Sequence, residues 1–292
     1  MDDADLGRML GRNVAVASGK GGVGKTSTAV NVAAAAAGMG LAVLVVDVDG
    51  QGSTAEDFGA HARPGSPAAT GNDHGRGFLG ALLDGSEPPV VAARKGIDWV
   101  PGGNYLNVLN GAAGPARHGD LRAAARSCLA GLSARYDLVL VDCPPGNSVL
   151  QEIGLAVSGH VLVPVGADTA SSVAALLNIG PQVRQVREQC NPGLRWLGFF
   201  EWGVDVTATR VARILRARLD GVDKVPRLED QEGRITVRWS RAVAQACRER
   251  GLTVAELAAE LAKSRAETAA ALAGDYARLT RAVIGAIIQQ EG

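Results

Sequence analysis

Two runs, "LAVLVVDVD" from Leu41 and "YDLVLVDCP" from Tyr136, constrain this chain most. Each is apolar at almost every position and then ends in aspartate. A strand with one face in water alternates apolar and polar residues, so a continuously apolar strand is buried on both faces. That is the strand of a parallel sheet covered by helices. Similar runs occur as "NVAVAS" from Asn13, "IDWVPG" from Ile97, "HVLVPVG" from His160, "LRWLGFF" from Leu194 and a short "DKVP" near Lys224. Alanine-rich stretches between them predict helices over 25–38, 119–134, 147–157, 170–189 and 208–219. The expectation is an α/β fold: a mostly parallel, twisted β-sheet with helices on both faces, in one domain spanning 1–292.

Within that domain residues 1–11 read as an N-terminal tail. His61–Gly77, "HARPGSPAATGNDHGRG", is rich in Gly, Pro and Ala and reads as a mobile surface loop. Residues 236–292 read as helical. In Asp275–Gln290, Tyr276, Leu279, Val283, Ile284, Ile287 and Ile288 recur at helical spacing. Arg278 and Arg281 give that helix a thin basic face, which favours packing on the sheet over binding a membrane.

Charge excludes little by its total, since Lys and Arg number 30 and Asp and Glu also number 30. Its distribution is uneven. Residues 181–250 hold 14 Lys and Arg against 9 Asp and Glu, which makes this segment the expected face for an anionic partner. Cys128, Cys143, Cys190 and Cys247 are scattered without a C-x-x-C pair, so neither a disulfide framework nor a zinc site is suggested. The acidic start "MDDADLGRML" is unlike a secretion signal, and no apolar run reaches membrane-spanning length. A soluble, cytoplasmic protein is expected.

"SGKGGVGKTST", Ser18–Thr28, satisfies the phosphate-loop pattern G-x-x-x-x-G-K-[ST] with Gly19, Gly24, Lys25 and Thr26. It follows a predicted strand and opens a predicted helix, the context the pattern requires. Gly19, Gly21, Gly22 and Gly24, with Val23 among them, let the backbone turn its N–H groups onto a phosphate at a helix N-terminus. Lys25 supplies a point charge, and the Thr26 hydroxyl is placed to ligate Mg²⁺, with Ser27 beside it. Asp47, Asp49 and Asp142 all fall at strand ends, the carboxyl edge where open α/β sheets bind ligands. Strand-end aspartates also cap turns, but three of them beside a phosphate loop suit a nucleotide–Mg²⁺ site better. Lys20 stands out as a second lysine in the loop.

"KGGVGKTST", "DVDGQGS" and "DLVLVDCPPGN" together resemble the deviant Walker A, Walker A′ and Walker B motifs of the ParA/MinD family of P-loop ATPases. Looser similarity continues through "SRAVAQACRERGLTVAELA", so the resemblance spans nearly the whole chain. It implies a P-loop NTPase fold, ATP and Mg²⁺ as cofactors, and slow, partner-stimulated ATP hydrolysis. Residue by residue, it implies that Lys25 binds phosphate and that Lys20 reaches the partner's ATP in an ATP-dependent dimer. Asp49 would orient the attacking water, and Asp142 would hold the metal through water. Gly146 would lie in the switch after Walker B, and Pro226 on the adenine side. The chain departs from the family's D-x-D-P-Q-x-N at Gly50 and Ser53, which implies a looser first switch.

The family divides by what the ATP-bound dimer grips. A ParA-like member binds double-stranded DNA non-specifically over the nucleoid and is released by a ParB-like partner, moving plasmids, chromosomes or other cargo. A MinD-like member binds membrane, and relatives of the nitrogenase iron protein share an iron–sulfur cluster through cysteines, which these scattered thiols do not suit. Arg210, Arg213, Arg216 and Arg218 crowd one predicted helix, and Arg234, Arg238 and Arg241 follow. Such side chains neutralise backbone phosphates without reading bases. Aromatic content of 4% argues against stacking on single strands. The favoured expectation is therefore the ParA-like one.

Overall fold

The computed structural model describes residues 3–112, 115–146, 148–166, 171–204, 213–214, 217–222, 225–261 and 263–291. Their elements run α1 (Asp3–Met9), β1 (Asn13–Val16), α2 (Lys25–Gly38), β2 (Val43–Asp47), α3 (Thr54–Asp57), α4 (Pro67–Gly71), α5 (Arg76–Asp84), β3 (Val91–Arg94) and β4 (Ile97–Val100). A 3₁₀ turn at Asn104–Asn107 precedes α6 (Val108–Ala112), α7 (Pro115–Ser133), β5 (Leu138–Asp142), α8 (Val149–Ala156), β6 (His160–Gly166), α9 (Ser171–Gln189) and β7 (Arg195–Val204). Short strands β8 (Glu229–Asp230), β9 (Gly233–Arg234) and β10 (Thr236–Arg238) lead into α10 (Arg241–Arg250), α11 (Val254–Glu260) and α12 (Lys263–Glu291).

Eight strands form one sheet in the order β10-β7-β6-β1-β5-β2-β4-β3, parallel except for the β3–β4 pair. Every residue of β1, β2, β5 and β6 is buried, as their unbroken apolar runs require. Parallel register carries the chemistry to one edge. Val16 of β1 pairs with Asp142 of β5, and Asp142 pairs in turn with Asp47 of β2, so three strands end level with one another.

Two apolar layers sandwich the sheet. One contains Phe78, Leu129, Ile153 and Leu176 from α5, α7, α8 and α9. The other contains Val30, Phe58, Trp99, Leu257 and Leu279, packed with α2, α11 and α12. On α12, Tyr276, Leu279, Val283 and Ile287 are buried, while Ile288 faces outward. Full burial of such side chains stabilises by about 1.5–3 kcal/mol each, so this face is committed to the core. Among the described residues no helix is long and apolar enough to cross a membrane.

Several local expectations are corrected. Residues 3–9 of the presumed tail form α1, and Leu10 behind them is buried. The presumed loop 61–77 contains α4, started by Ser66, whose side chain accepts from Ala69 N, and Arg76 already begins α5. Residues 236–238 are strand rather than helix, because three residues are too few to show a period. The "DKVP" strand is reduced to a single bridge between Phe199 and Arg227, residues 223–224 lying outside the described residues. Strand β3, "VAAR", passed unread because its two alanines carry little β signal.

The packing of α12 yields a paired prediction. Leu279→Ala should lower the unfolding free energy by about 2–5 kcal/mol, whereas Ile288→Ala should change it by less than about 0.5 kcal/mol. Urea unfolding of both variants checks this.

Candidate nucleotide and metal site

The loop between β1 and α2 turns through Gly24, whose φ of 80° lies in the left-handed region. Its other glycines are not equivalent in what the fold asks of them. Gly19 is pressed against α9, where a Cβ would fall 2.7 Å from the Ala175 carbonyl oxygen. Gly22 takes a φ of 74°. Gly21 does neither: it is exposed, keeps an ordinary φ, and a Cβ there would come no nearer than 3.8 Å to the Pro145 ring. Folding alone therefore does not demand glycine at Gly21.

No side chain caps α2, so its first N–H groups stay available to an anion. Lys25 is buried, and its Nζ donates to the Lys20 carbonyl at 3.4 Å. Because Thr26 sits one residue into α2 and β5 ends beside β1, the Thr26 hydroxyl donates to Asp142 Oδ2 at 2.7 Å.

The second carboxylate cluster is built from β2 and the turn after it. The Asp49 N–H donates to Asp47 Oδ1 at 2.8 Å, and the Thr54 hydroxyl donates to Asp47 Oδ2. Asp49 accepts from Gln51 N at 2.9 Å. At Gly50 in this turn, Asn107 Nδ2 donates to the backbone carbonyl at 3.1 Å. A Cβ at position 50 would fall 2.0 Å from Asn107 Oδ1, so the Asn107 side chain would have to swing aside and give up this bond.

Electrostatics follows from the register. Burial, countered by the hydrogen bonds from Thr54 and Asp49, pushes Asp47 up from 3.8 to about 7. Burial and then the neighbouring Asp47 raise Asp142 well above the usual carboxylate range, against the opposing pull of Thr26 and Lys25. Asp142 Oδ1 is buried with no hydrogen-bond partner among the described residues. Among the described residues Asp47, Asp49 and Asp142 do not converge into a three-carboxylate metal group, but the orphaned Asp142 oxygen beside the Thr26 hydroxyl fits a hard divalent cation such as Mg²⁺ that keeps most of its water.

Beside the loop stand two tryptophans. The Trp202 ring, at the end of β7, lies so close to Gly24 that a Cβ there would fall 2.0 Å from it. Its Nε1 donates to the Tyr276 hydroxyl at 3.4 Å, and its ring meets Trp239 with centroids 5.2 Å apart. A cavity of about 330 Å³ opens between these rings and Lys20, Gly22 and Val23. A second, of about 360 Å³, lies between them and Ser27, Asn31, Arg241 and Tyr276.

The structure thus gathers residues 19–27, Asp49 and Asp142 at one edge, with Gly146, at a φ of 84°, in the segment just after β5. It does not bring Pro226 there: that carbonyl accepts from Phe199 N at 2.9 Å, halfway along β7. Trp202, Trp239 and Asn107 went unread. Trp202 had a usable signal, as a large side chain ending an apolar strand at the ligand-binding edge. Trp239 and Asn107 had none, one following a three-residue strand and the other lying in a 3₁₀ turn.

The basic residues separate. Arg238 makes a bidentate pair with Asp275 at 2.6 and 2.9 Å, and Arg234 is bound to Asp220 at 2.8 Å. Arg213, Arg218 and Arg241 are exposed. Arg210 and Arg216 lie outside the described residues.

The model of the CobQ/CobB/MinD/ParA nucleotide binding domain matches residues 14–290. Among solved structures, the chain is similar to cobyrinic acid a,c-diamide synthase from Mycobacterium smegmatis with bound ADP and magnesium, at 30% identity over 82% of this chain and 92% of that one, with a TM-score of 0.61. It is similar in fold to a putative plasmid partition protein from Borrelia burgdorferi bound to AMPPNP, at 17% identity, 96% and 98% coverage and a TM-score of 0.67. The septum site-determining protein MinD from Pyrococcus horikoshii, complexed with Mg-ADP, gives 21%, 91% and 94%, and 0.59. No curated protein sequence matches the chain.

The buried carboxylates make stability pH-dependent. The folded chain holds the Asp47 proton to about pH 7, whereas an unfolded chain releases it near 3.8. Its contribution is complete below the lower value and is lost as pH rises towards the upper one. Without nucleotide or metal, raising the pH from 5 to 8 should therefore destabilise the wild type by at least about 1 kcal/mol more than Asp47→Asn. Thermal unfolding across that range checks this, and parallel curves would contradict it.

Proposed function

The chain belongs to the CobQ/CobB/MinD/ParA nucleotide-binding family, and from that membership we propose an ATPase that dimerises on ATP, binds duplex DNA non-specifically and hydrolyses ATP to move or position a cargo. The observation that carries the reading is the Thr26–Asp142 contact at 2.7 Å beside the buried Lys25. Lys25 and the α2 N-terminus would hold the phosphates, with Gly21 and Gly22 leaving the loop's outer turn open to them. Thr26 and Asp142 would hold Mg²⁺, which when bound neutralises charge on the phosphates. Asp49 would orient the attacking water. The two tryptophans take the place expected of Pro226, as an apolar platform for the base.

Lys20 would complete the site from a second subunit, supplying charge to the transferring phosphoryl group only in the dimer. Exposed Tyr105, Val108 and Leu177 suit such a partner, since apolar side chains in water gain by being covered. A ParB-like protein would stimulate hydrolysis. For DNA, Arg213, Arg218 and Arg241 are the contacts favoured by exposure, while the carboxylates bound to Arg234 and Arg238 weaken their claim. A MinD-like membrane role is less well supported, because α12 spends its apolar face on the core.

The higher identity to the Mycobacterium smegmatis protein favours one other reading, amide formation. If that chemistry drew nitrogen from an amide donor through a cysteine, it would need a thiolate. Burial instead pushes Cys128 and Cys247 up to about 12 and raises Cys143 well above the usual thiol range. The thiols so described remain protonated at neutral pH.

Two outcomes test the proposal. Lys20→Ala should still bind ATP but lose at least about 100-fold in ATP turnover and fail to retain DNA, and wild-type turnover in this variant would remove Lys20 from the site. With ATP and Mg²⁺, the triple change of Arg213, Arg218 and Arg241 to alanine should weaken plasmid retention and flatten its salt dependence by about two to three phosphate contacts. The double change of Arg234 and Arg238 should leave that slope nearly unchanged.

A further inference from the structure

Gln151 lies in the first turn of α8 and is fully buried, where a polar side chain requires partners. Ser148 caps this helix, its hydroxyl accepting from Gln151 N at 3.2 Å. The Gln151 side chain reaches the sheet's carboxyl edge. There Nε2 donates to the Ser18 carbonyl at 3.1 Å and to the Pro144 carbonyl at 3.2 Å. Both amide hydrogens are used, and Oε1 has no partner among the described residues. The opposite amide orientation would set an oxygen against two carbonyl oxygens, so the pair of acceptors selects the observed one.

Ser18 opens the phosphate loop that carries Lys25 and Thr26. Pro144 follows two residues after Asp142 and precedes Gly146. One side chain therefore joins the phosphate-holding segment to the metal-holding segment, at a second point besides the Thr26–Asp142 contact. Its own helix is held from the far side, where Arg122 donates to Glu152 at 2.9 Å and Arg126 to the Ala156 carbonyl at 2.9 Å, all three side chains being buried. A strut fixed at its base transmits a displacement of one segment to the other.

We infer that Gln151 is a positioning residue that couples the metal side of the site to the phosphate side, an inference that rests on the nucleotide–Mg²⁺ reading above. Gln151→Met keeps the length and volume but donates no hydrogen bond. Gln151→Glu keeps the shape and, when ionised, sets oxygen against both carbonyls. With either change Asp142 is no longer tied to the loop through α8, while Lys25 and the α2 N-terminus still meet the phosphates.

The experiment measures ADP affinity with Mg²⁺ and with EDTA, by calorimetry, for the wild type and both variants. The expected result is ADP affinity in EDTA within about twofold of wild type, with the tightening caused by Mg²⁺ reduced about tenfold. An unchanged Mg²⁺ effect in a folded variant overturns the inference. So does an equal loss with and without Mg²⁺, which is what a merely structural role predicts. If neither variant folds, the side-chain amide resonances of Gln151 in the wild type decide: they should shift when Mg²⁺ is added to the ADP complex, and their constancy overturns the coupling. A wild-type chain that binds no ADP removes the nucleotide reading itself, a result distinct from all of these.

Discussion

The contact between the Thr26 hydroxyl and Asp142 Oδ2 is the interaction around which the rest of the structure is arranged. It needs β1 and β5 adjacent, parallel and level, so that a residue one step into α2 meets the last residue of β5. It also needs both strands fully buried, because only water-excluded carboxylates are as responsive to a neighbouring charge as Asp142 is. A hydrogen bond to such a group contributes about 1.5–3 kcal/mol. The same burial leaves Asp142 Oδ1 unpaired, at a cost of similar size. The fold thus holds a site that is costly alone and is relieved by a cation.

That strain explains the surroundings. Asp47 and Asp142 are partners in register, so their charges oppose one another inside the sheet. Thr54 and the Asp49 amide partly compensate Asp47, while Gln151 and Asn107 bond to the two loop segments that flank the carboxylates. The outer layers are ordinary by comparison. They are apolar contacts whose chief demand is that α12 lie on the sheet and stay there.

Much of this was legible in the sequence, for physical reasons. Strands buried on both faces have no polar positions, so "VLVVD" and "LVLVD" declared the parallel sheet and the edge at which their aspartates would meet. The phosphate loop was legible because glycines, a lysine and a threonine at that spacing serve one ligand chemistry. Which glycine answers to the fold was not, since Ala175 reaches Gly19, and Trp202 reaches Gly24, from far along the chain, and no such neighbour crowds Gly21. Unreadable too were other features made by distant segments meeting. Asn107 holds Gly50, Gln151 holds Ser18, and Trp239 reaches Trp202, across separations that no local period records. Arginine pairing was hidden for the same reason, since Asp275 and Asp220 reach Arg238 and Arg234 only in the fold. The position of Pro226 was hidden likewise, since only the fold sets its carbonyl against Phe199 in the middle of β7.

The proposed function stands on a site that two chains would complete together. The most direct measurement is a crystal structure of the chain with Mg²⁺ and a non-hydrolysable ATP analogue. Two chains should then lie face to face, with the metal beside Thr26 and Asp142 and Lys20 of each chain against the other's phosphates. A nucleotide held by one chain alone, with Lys20 directed away from any neighbour's phosphates, would contradict it.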